Sequence, residues 1–366
     1  MTDATTQQLS AWGIDAKLTR ETIFEQMFSC VDTAQTICLS GHVSPDGDCL
    51  GSLSALASLL HALGKEVDIL LAKPESIACN LSFLPHIIEA FCPQEMQLSK
   101  RYDLSITCDV PTMERLGAAG LCHKQAKKRL TLDHHPSPSP LSDINFINTS
   151  APACALIVWD FIRYSIQRHG ITLEHDTKAA IATACYTGLM TDTGRFQYQN
   201  TNEDCFRAAA EMFAWGANPS IIARDIFQNN SLAHFYLTER VIHNALIDTR
   251  NSYAISYVTQ KDLETLGADK SDTEGLVDVL RSLRGVSLVA FIREVTDDPR
   301  SGDNSCFKVS FRSKDNLDVA SIAARYNGGG HRVAAGASFY CELDEVIDCI
   351  KHEFENLQER QRGNNL

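Results

Sequence analysis

The sequence predicts an α/β protein in which a doubly wound, mostly parallel sheet is followed by a smaller α/β domain. Short apolar runs alternate with longer runs of helical periodicity through the first half of the chain, which is typical of βα units. Acidic residues come directly after several apolar runs, where open parallel sheets place their ligands. The length of 366 residues exceeds one ordinary core and indicates two domains, with a binding site in the cleft between them.

The composition narrows the class of protein. A net charge of −13 argues against a protein that coats DNA independently of sequence, since such a protein needs a basic face. No apolar run approaches the ~20 residues of a membrane span, and residues 1–17 lack a secretory signal. The thirteen cysteines are scattered without a C-x-x-C pair, which disfavours a zinc ribbon or a disulfide framework. We therefore expect a cytoplasmic protein in a reducing compartment.

Periodicity assigns the elements of the first domain, residues 1–202. A helix is predicted over 19–28, and the helix that follows the first acidic loop should end at Gly64. Two more helices are predicted over 152–168 and 177–189. Five short apolar runs indicate buried strands at residues 36–40, 67–71, 104–108, 129–132 and 145–147.

The rest of the chain divides into a connector and a second domain. Residues 203–249 have a helical pattern without a strand, so we predict a connector there. The second domain, residues 250–366, contains a strictly alternating strand over 306–313. Other strands are predicted at 253–258, 286–293 and 337–341, and helices at 273–283, 319–326 and 343–359.

One imidazole and two carboxylates follow the first predicted strand on a single short turn. They belong to His42, Asp46 and Asp48, and Gly47 lets the chain bend so that both carboxylates can turn inward. An Asp-x-Asp loop alone is most often a plain turn. These three residues can begin a metal site but cannot complete a site for two ions.

Other strand and helix ends supply similar groups. Asp109 stands just past the third strand, Asp133, His134 and His135 past the fourth, and Asp192 past a helix. Taken singly, each carboxylate is explained as a cap or a turn residue, and the histidines as solvated side chains. Four carboxylates in one crevice, however, would repel each other unless cations compensate them. Two divalent ions ~3.5–4 Å apart would do so, and oxygen ligands with some imidazole favour Mn²⁺ or Mg²⁺ over zinc.

These motifs, taken as a set, resemble those of a known family. The first half is similar to the DHH phosphoesterases in four stretches: HVSPDGDCLGS, Cys108-Asp109, Asp133-His134-His135 and TDTGRF. The second half resembles the accompanying DHHA1 domain in the stretches SFRS, GGGH and AAG. The resemblance spans about residues 30–345, and the short two-domain build favours the nanoRNase branch of the family.

The resemblance implies two Mn²⁺ ions, or Mg²⁺ in their place, with Asp109 bridging them. Asp133 would orient His134 from outside the ligand set, and His135 would face the substrate phosphate. Asp109, Asp133 and His135 are therefore the catalytic candidates. One ion would be held by His42 and Asp46, and the other by Asp48, His134 and Asp192.

The resemblance also assigns substrate binding to the second domain. Arg312, Ser313 and His331 would grip the substrate, and a glycine loop would let its backbone approach closely. That loop comprises Gly328, Gly329 and Gly330.

The chain departs from the family pattern at two places. The family's run of four glycines begins here with Asn327, which must tolerate the backbone conformation of the first glycine. The family's Ser/Thr-rich patch after the fifth strand is replaced by Ala151-Pro152-Ala153-Cys154, so a hydroxyl contact made there is in question.

The function implied by the resemblance is hydrolysis of very short RNA to mononucleotides and of 3′-phosphoadenosine 5′-phosphate to AMP. A phosphodiesterase for cyclic or linear dinucleotides stays open as an alternative, because a dinucleotide is itself a short RNA. An inorganic pyrophosphatase is disfavoured, since pyrophosphate offers the glycine loop no base or sugar. A nucleotide-binding regulator with a dead site is disfavoured because all the metal ligands are present. A homodimer is left open as well.

Overall fold

The computed structural model of the chain describes residues 19–74, 77–94, 98–136, 139–296, 306–315 and 317–364. The chain divides into two compact units, with the boundary between Asn229 and Asn230. This boundary lies inside the segment predicted as a connector. The polar lead-in of residues 1–17 lies outside the described residues.

The first unit is built on a five-stranded parallel sheet, which confirms the predicted fold class. The strand order is β2-β1-β3-β4-β5, and each neighbouring pair is parallel. Every residue of β3 is buried, as expected for a strand that is covered on both faces. The strands are β1 Thr36–Ser40, β2 Glu66–Leu70, β3 Leu104–Cys108, β4 Lys128–Asp133 and β5 Ile144–Ile147.

Side-chain caps begin several helices of this unit. Thr19 accepts a hydrogen bond from the backbone N of Thr22, and Asn218 accepts one from the backbone N of Ile221. Each cap satisfies a backbone donor that has no partner inside its helix. The helices are α1 Arg20–Thr33, α2 Gly47–Ala62, α3 Ala119–Gln125, α4 Cys154–His169, α5 His175–Asp192, α6 Glu203–Ala214 and α7 Pro219–Phe227.

Glycines bring α2 and α5 into direct contact. A Cβ atom added at Gly51 would lie 2.4 Å from the carbonyl oxygen of Ala184, and one added at Gly188 would lie 2.8 Å from Asp48 Oδ1. The two helices can therefore pack only without side chains at these positions. This packing sets Asp48, at the start of α2, beside the end of α5, where Asp192 lies.

The end of α5 differs from the prediction. The helix was predicted to end at residue 189, but it continues to Asp192. Thr193 closes it, because both its backbone N and its Oγ1 donate to the carbonyl oxygen of Leu189. Asp192 is therefore held by a helix rather than by a loose turn.

A buried histidine ties β3 to the loop that precedes β5. His123 is wholly buried, with Nδ1 2.8 Å from Ser105 Oγ and Nε2 3.1 Å from Ser142 Oγ. Burial lowers the pKa of His123 to about 4. The folded chain therefore holds this ring neutral at pH values where an unfolded chain would protonate it.

We expect His123 to make folding stability depend on pH. Its folded pKa lies below the unfolded value of about 6.5, so its stabilisation is present above pH 6.5 and is lost as the pH falls towards 4. The full loss is about 3 kcal/mol. Urea unfolding at pH 7, 6 and 5 should therefore show a smaller decline for His123→Gln than for the wild type. His175→Gln, at an exposed position, should keep the wild-type decline.

The second unit contains a mixed six-stranded sheet in the order β10-β11-β9-β8-β7-β6. Strands β7 and β8 are parallel, and the other neighbours are antiparallel. Phe307, Val309 and Phe311 of β9 are buried in one core while Lys308 is exposed, which confirms the predicted alternation. The strands are β6 Leu246–Asp248, β7 Tyr253–Val258, β8 Leu288–Val295, β9 Cys306–Ser313, β10 Gly329–His331 and β11 Ala334–Phe339.

Several elements of the second unit differ from the prediction. The predicted connector contains strand β6, and the glycine loop forms strand β10 against β11. The glycine segment lacks the β-branched and aromatic residues typical of strands, so pairing with a neighbour decides its structure. The last strand begins three residues earlier than the predicted 337–341. The helices are α8 Leu232–His243, α9 Gln260–Leu266, α10 Leu276–Arg281, α11 Val319–Arg325 and α12 Leu343–Asn364.

In the part of the chain that the structure describes, no helix combines the length and the apolar content needed to cross a bilayer.

Candidate metal centre

Acidic and imidazole side chains from separate elements of the first unit meet at one edge of its sheet. Asp109 lies at their centre, and its two carboxylate oxygens face in different directions. Asp109 Oδ2 is 3.4 Å from His42 Nε2, whereas Asp109 Oδ1 is 3.5 Å from His134 Nε2 and 3.1 Å from His135 Nδ1. A carboxylate in this position can serve two groups of ligands at once.

The two groups of ligands lie on either side of Asp109. On one side, His42 Nε2 lies 3.9 Å from Asp46 Oδ1. On the other side, His134 Nε2 lies 3.7 Å from Asp48 Oδ2 and 3.7 Å from Asp192 Oδ2. The structure thus places the six candidate ligands close together, and their role as metal ligands stays a prediction.

The backbone of Asp109 is held in an unusual conformation. Its φ angle is 60°, in the left-handed region that residues other than glycine seldom adopt, although Asp tolerates it better than most. Its backbone N still donates to the carbonyl oxygen of Leu132, which continues the ladder between β3 and β4. Such strain usually persists only where the surroundings enforce it, and here it accompanies a buried carboxylate at the centre of the cluster.

A second layer of contacts fixes the two histidines, and it differs from the prediction. Asp133 was predicted to orient His134, but His134 Nδ1 donates to the carbonyl oxygen of Ala151 instead. Because that carbonyl can only accept, His134 Nδ1 carries the proton of this hydrogen bond. The other ring nitrogen, Nε2, faces the carboxylates. Asp133 Oδ1 accepts from His135 Nδ1 at 3.0 Å and from the backbone N of both histidines, so it orients His135.

The segment that replaces the Ser/Thr-rich patch starts α4, and Asp48 caps it. Ala153 has no side chain that can cap the helix, but Asp48 Oδ2 accepts from the backbone N of Cys154 and Asp48 Oδ1 accepts from that of Ala155. The positive end of the α4 dipole thus meets a buried carboxylate. Backbone donors of this segment thus bind Asp48.

The pKa shifts of these side chains show that buried carboxylates repel each other in this cluster and that positive charge is favoured beside them. Burial, together with the charges of Asp109 and Asp192, raises the pKa of Asp48 well above its usual value. Burial alone would lower the pKa of His134, but hydrogen bonding with Asp109 and the charges of Asp192 and Asp48 raise it to about 10. Burial likewise opposes the charge of His135, whose pKa is raised to about 11 by Asp109 and Asp133.

The donor set fits divalent cations. The raised pKa values of His134 and His135 favour positive charge beside the carboxylates, and a bound divalent cation would supply positive charge at the same place. Among the described residues of the first unit, three sets of buried or half-buried side chains have donor atoms that lie within 4.8 Å of one another inside each set: His42, Cys49 and Asp109; Asp48, Asp109 and His134; and Asp109, Asp133 and His135. The structure therefore contains a site of the kind that binds divalent metal ions.

Sequence reasoning missed some residues of the centre. Cys49 approaches His42 and Asp109, but burial raises the pKa of its thiol well above the usual value, so it remains a neutral neighbour. Its position beside Asp48 in the sequence was the available signal. Asn200 was also missed: its Nδ2 donates to the carbonyl oxygens of Pro152 and Asp192, and no local pattern indicated this long-range contact.

The predicted substrate residues lie in the second unit. Arg312 is half-buried on the face of β9 opposite Phe311, and its Nη1 donates to the Phe311 carbonyl oxygen. Ser313 is buried, and its Oγ accepts from the backbone N of Leu317, so this hydroxyl already holds the loop after β9. Its role in substrate binding stays a prediction.

The glycines after α11 differ in what they allow. A Cβ at Gly328 would lie 2.1 Å from the Gly336 carbonyl oxygen, and one at Gly330 would lie 2.5 Å from that of Ala334, so both are needed for packing. Gly329 has open space where a side chain would be. Asn327 has φ of 55°, so it adopts the left-handed conformation that glycine adopts most readily and that Asn tolerates better than most residues.

A parallel sheet that carries a buried Asp/His cluster at its carboxyl edge, followed by a mixed-sheet unit, defines a class of two-domain, metal-binding α/β proteins. The model of the DHH family N-terminal domain matches residues 36–189, and that of the DHHA1 domain matches residues 250–356. The chain belongs to the DHH family of phosphoesterases and carries both of these domains.

The similar proteins have related names and a similar fold. The bifunctional oligoribonuclease and PAP phosphatase NrnA of Bacillus subtilis (strain 168) is 29% identical over 338 residues, which cover 90% of this chain and 99% of that protein. The protein of the same name from Thermus thermophilus is 28% identical over 323 residues, which cover 87% of this chain and 90% of that protein. The solved structure of an exopolyphosphatase-related protein from Bacteroides fragilis has a TM-score of 0.81 at 23% identity. The match covers 94% of this chain and 100% of that protein, and it supports the fold alone.

Proposed function

We propose that the chain hydrolyses very short RNA to mononucleotides and 3′-phosphoadenosine 5′-phosphate to AMP, with two Mn²⁺ ions as cofactors. The observation that carries this proposal is the Asp109 carboxylate, which faces a separate group of candidate ligands with each of its oxygens. The names of the NrnA relatives support the two substrates. In this proposal residues 1–202 carry the chemistry, 250–366 bind the substrate and 203–249 connect them.

In this proposal, each residue of the centre either binds a metal ion or acts on the substrate phosphate. Two divalent ions, when bound, supply positive charge to a phosphoryl group and acidify a water molecule. Asp109 would hold both ions, with His42 and Asp46 on one side. His135, which Asp133 holds through Nδ1, would place a proton near the phosphate oxygens. On the other side of Asp109, the ligands would be Asp48, His134 and Asp192.

The proposal is tested by turnover after the metal is removed and then restored. Chelator-treated protein should be inactive, and Mn²⁺ should restore a higher rate than Mg²⁺, since Mg²⁺ demands near-ideal octahedral oxygen ligation. The rates should be compared on pApA, a 5-mer RNA, 3′-phosphoadenosine 5′-phosphate, cyclic di-AMP and pyrophosphate. Fastest turnover of cyclic di-AMP or of pyrophosphate, or full activity with Zn²⁺ alone, would contradict the proposal.

Arg312 should bind a substrate phosphate and no metal. It lies on the polar face of β9, and a guanidinium pairs with phosphate through two parallel hydrogen bonds that an ammonium cannot reproduce. Arg312→Ala and Arg312→Lys should both lower kcat/KM on the 5-mer RNA by about 10-fold or more, with the metal content unchanged. Lys308→Ala, at an exposed position on the same face of the strand, is the matched control.

Two substrates separate a phosphate clamp from general damage. A small activated diester, bis-p-nitrophenyl phosphate, depends little on binding by the second domain. In the Arg312 variants, kcat/KM should therefore fall less on this diester than on the RNA. Equal losses on both substrates, or no loss on the RNA, would show that Arg312 is not the clamp.

A further inference from the structure

The segment directly after Asp192 has an unusual backbone. Gly194, Arg195 and Phe196 have φ angles of 54°, 63° and 61°, so three successive residues are left-handed, and two of them are not glycine. Such residues cost free energy, and they cluster where a protein must present particular side chains. The segment is pinned by Thr193 Oγ1, which accepts from the backbone N of Phe196.

Two neighbouring residues of this segment, Arg195 and Phe196, each contact an aromatic ring from a helix. The Phe196 ring stacks on the Phe206 ring of α6, with centroids 5.5 Å apart and planes 28° apart. The Arg195 guanidinium lies 4.0 Å from the centroid of the Phe227 ring at the end of α7. We call these four side chains the aromatic platform.

Two side chains of the platform, Arg195 and Phe206, are exposed to solvent, whereas Phe196 and Phe227 are half-buried against the core. Phe206 is 58% exposed, although burial of a large aromatic ring is usually favourable. One face of its ring contacts Phe196, and the rest of the ring is exposed to solvent. Arg195 is exposed, and among the described residues it has no carboxylate partner within salt-bridge distance. Arg195 thus places a positive charge three residues from the candidate metal ligand Asp192, in a chain with a net charge of −13.

The surrounding charges indicate which ligand would fit. Glu203 and Asp204, in the first turn of α6, are both bound by Arg207. The ring of Phe206 therefore suits a neutral, flat group better than an anion, whereas Arg195 suits a phosphate. A nucleobase attached to its phosphate offers both groups, and aromatic side chains stack bases of any sequence.

We propose that the aromatic platform binds one nucleotide of the RNA substrate, with the base stacked on Phe206 and its phosphate at Arg195. The proposal rests on the proposed function and adds to it a recognition site in the first unit. The chain-length preference of the enzyme would then depend on a base that lies outside the metal centre. A substrate with a second nucleotide would gain this contact, whereas a lone nucleoside bisphosphate would not.

Binding and kinetics together test the platform. The test variant is Phe206→Ala, and Phe206→Trp should retain the stack. Phe213→Ala is the matched control, since Phe213 is 64% exposed on the same helix. Phe206→Ala should raise KM for a 5-mer RNA by about 5- to 100-fold, and more than it raises KM for 3′-phosphoadenosine 5′-phosphate. Arg195→Gln should weaken RNA binding in the same direction.

An abasic substrate identifies the contact. A set of 5-mers is needed in which each member has one abasic ribose at a different position. For one member, the wild type should lose as much RNA affinity as Phe206→Ala loses on the intact 5-mer. The Phe206→Ala variant should lose no further affinity on that member. The affinity of a fluorescent 5-mer, measured by anisotropy with Ca²⁺ in place of Mn²⁺, tests the platform even if RNA proves not to be hydrolysed. Equal losses on all substrates, unchanged RNA affinity, or a change of oligomeric state by light scattering in Phe206→Ala would overturn the proposal.

Discussion

Asp109→Ala should lose both metal ions and nearly all turnover while the chain stays folded. The carboxylate faces His42 with one oxygen and His134 with the other, so its removal takes a ligand from both halves of the centre at once. Because metal ions supply several kcal/mol of transition-state stabilisation, we expect a loss of roughly a thousandfold or more in kcat/KM. Elemental analysis of the purified variant and a steady-state assay on the 5-mer RNA measure the two effects.

The fold should survive this substitution. The pairing of β3 with β4 ends at Cys108 and Leu132, and Asp109 adds to it only through its backbone N, which alanine retains. Alanine is strained at φ of 60°, so Asp109→Asn is a second variant that keeps the shape and loses the charge. Asp143→Ala, which removes the carboxylate paired with Arg129 at 2.6 Å, is the control. Two bound ions in either Asp109 variant would refute the bridging role.

Much of the first unit could be predicted from the sequence, because its signals are local. A buried parallel strand is a short apolar run, and Asp109 stands directly beyond one. Parallel strands bring their carboxyl ends to one edge, so the order of the motifs already implied that Asp109 and His134 would meet. The structure places them 3.5 Å apart.

What could not be predicted depends on contacts between distant segments. The Ala151 carbonyl oxygen orients His134, but a backbone acceptor has no sequence signature. Asp48 caps α4 from more than a hundred residues away, and no local pattern in the Ala151-Pro152-Ala153-Cys154 segment indicates that contact. Strand β10 likewise depends on its pairing with β11, since glycines favour no regular element by themselves.

Gly188 shows how such a distant contact controls the centre. It lies in the middle of α5, where glycine is unfavourable relative to alanine, so its presence needs a packing reason. A Cβ atom there would lie 2.6 Å from Ala155 Cβ, 2.8 Å from Asp48 Oδ1 and 3.1 Å from Asp48 Cα. Neither neighbour can move easily, because Asp48 is buried and both of its oxygens are bound to the start of α4.

Gly188→Ala should therefore damage metal binding although Gly188 is no ligand. Overpacking should destabilise the fold by about 1–3 kcal/mol, and displacement of Asp48 should weaken the affinity for Mn²⁺ by about 10- to 100-fold. Titration of the chelator-treated protein with Mn²⁺, followed by calorimetry, measures the affinity, and urea unfolding measures the stability. Gly120→Ala is the matched control, because in that helix a Cβ meets only ordinary contacts at 3.5 Å and should stabilise slightly. If Gly188→Ala bound Mn²⁺ as tightly as Gly120→Ala does, the close packing of α2 on α5 would not be what positions Asp48.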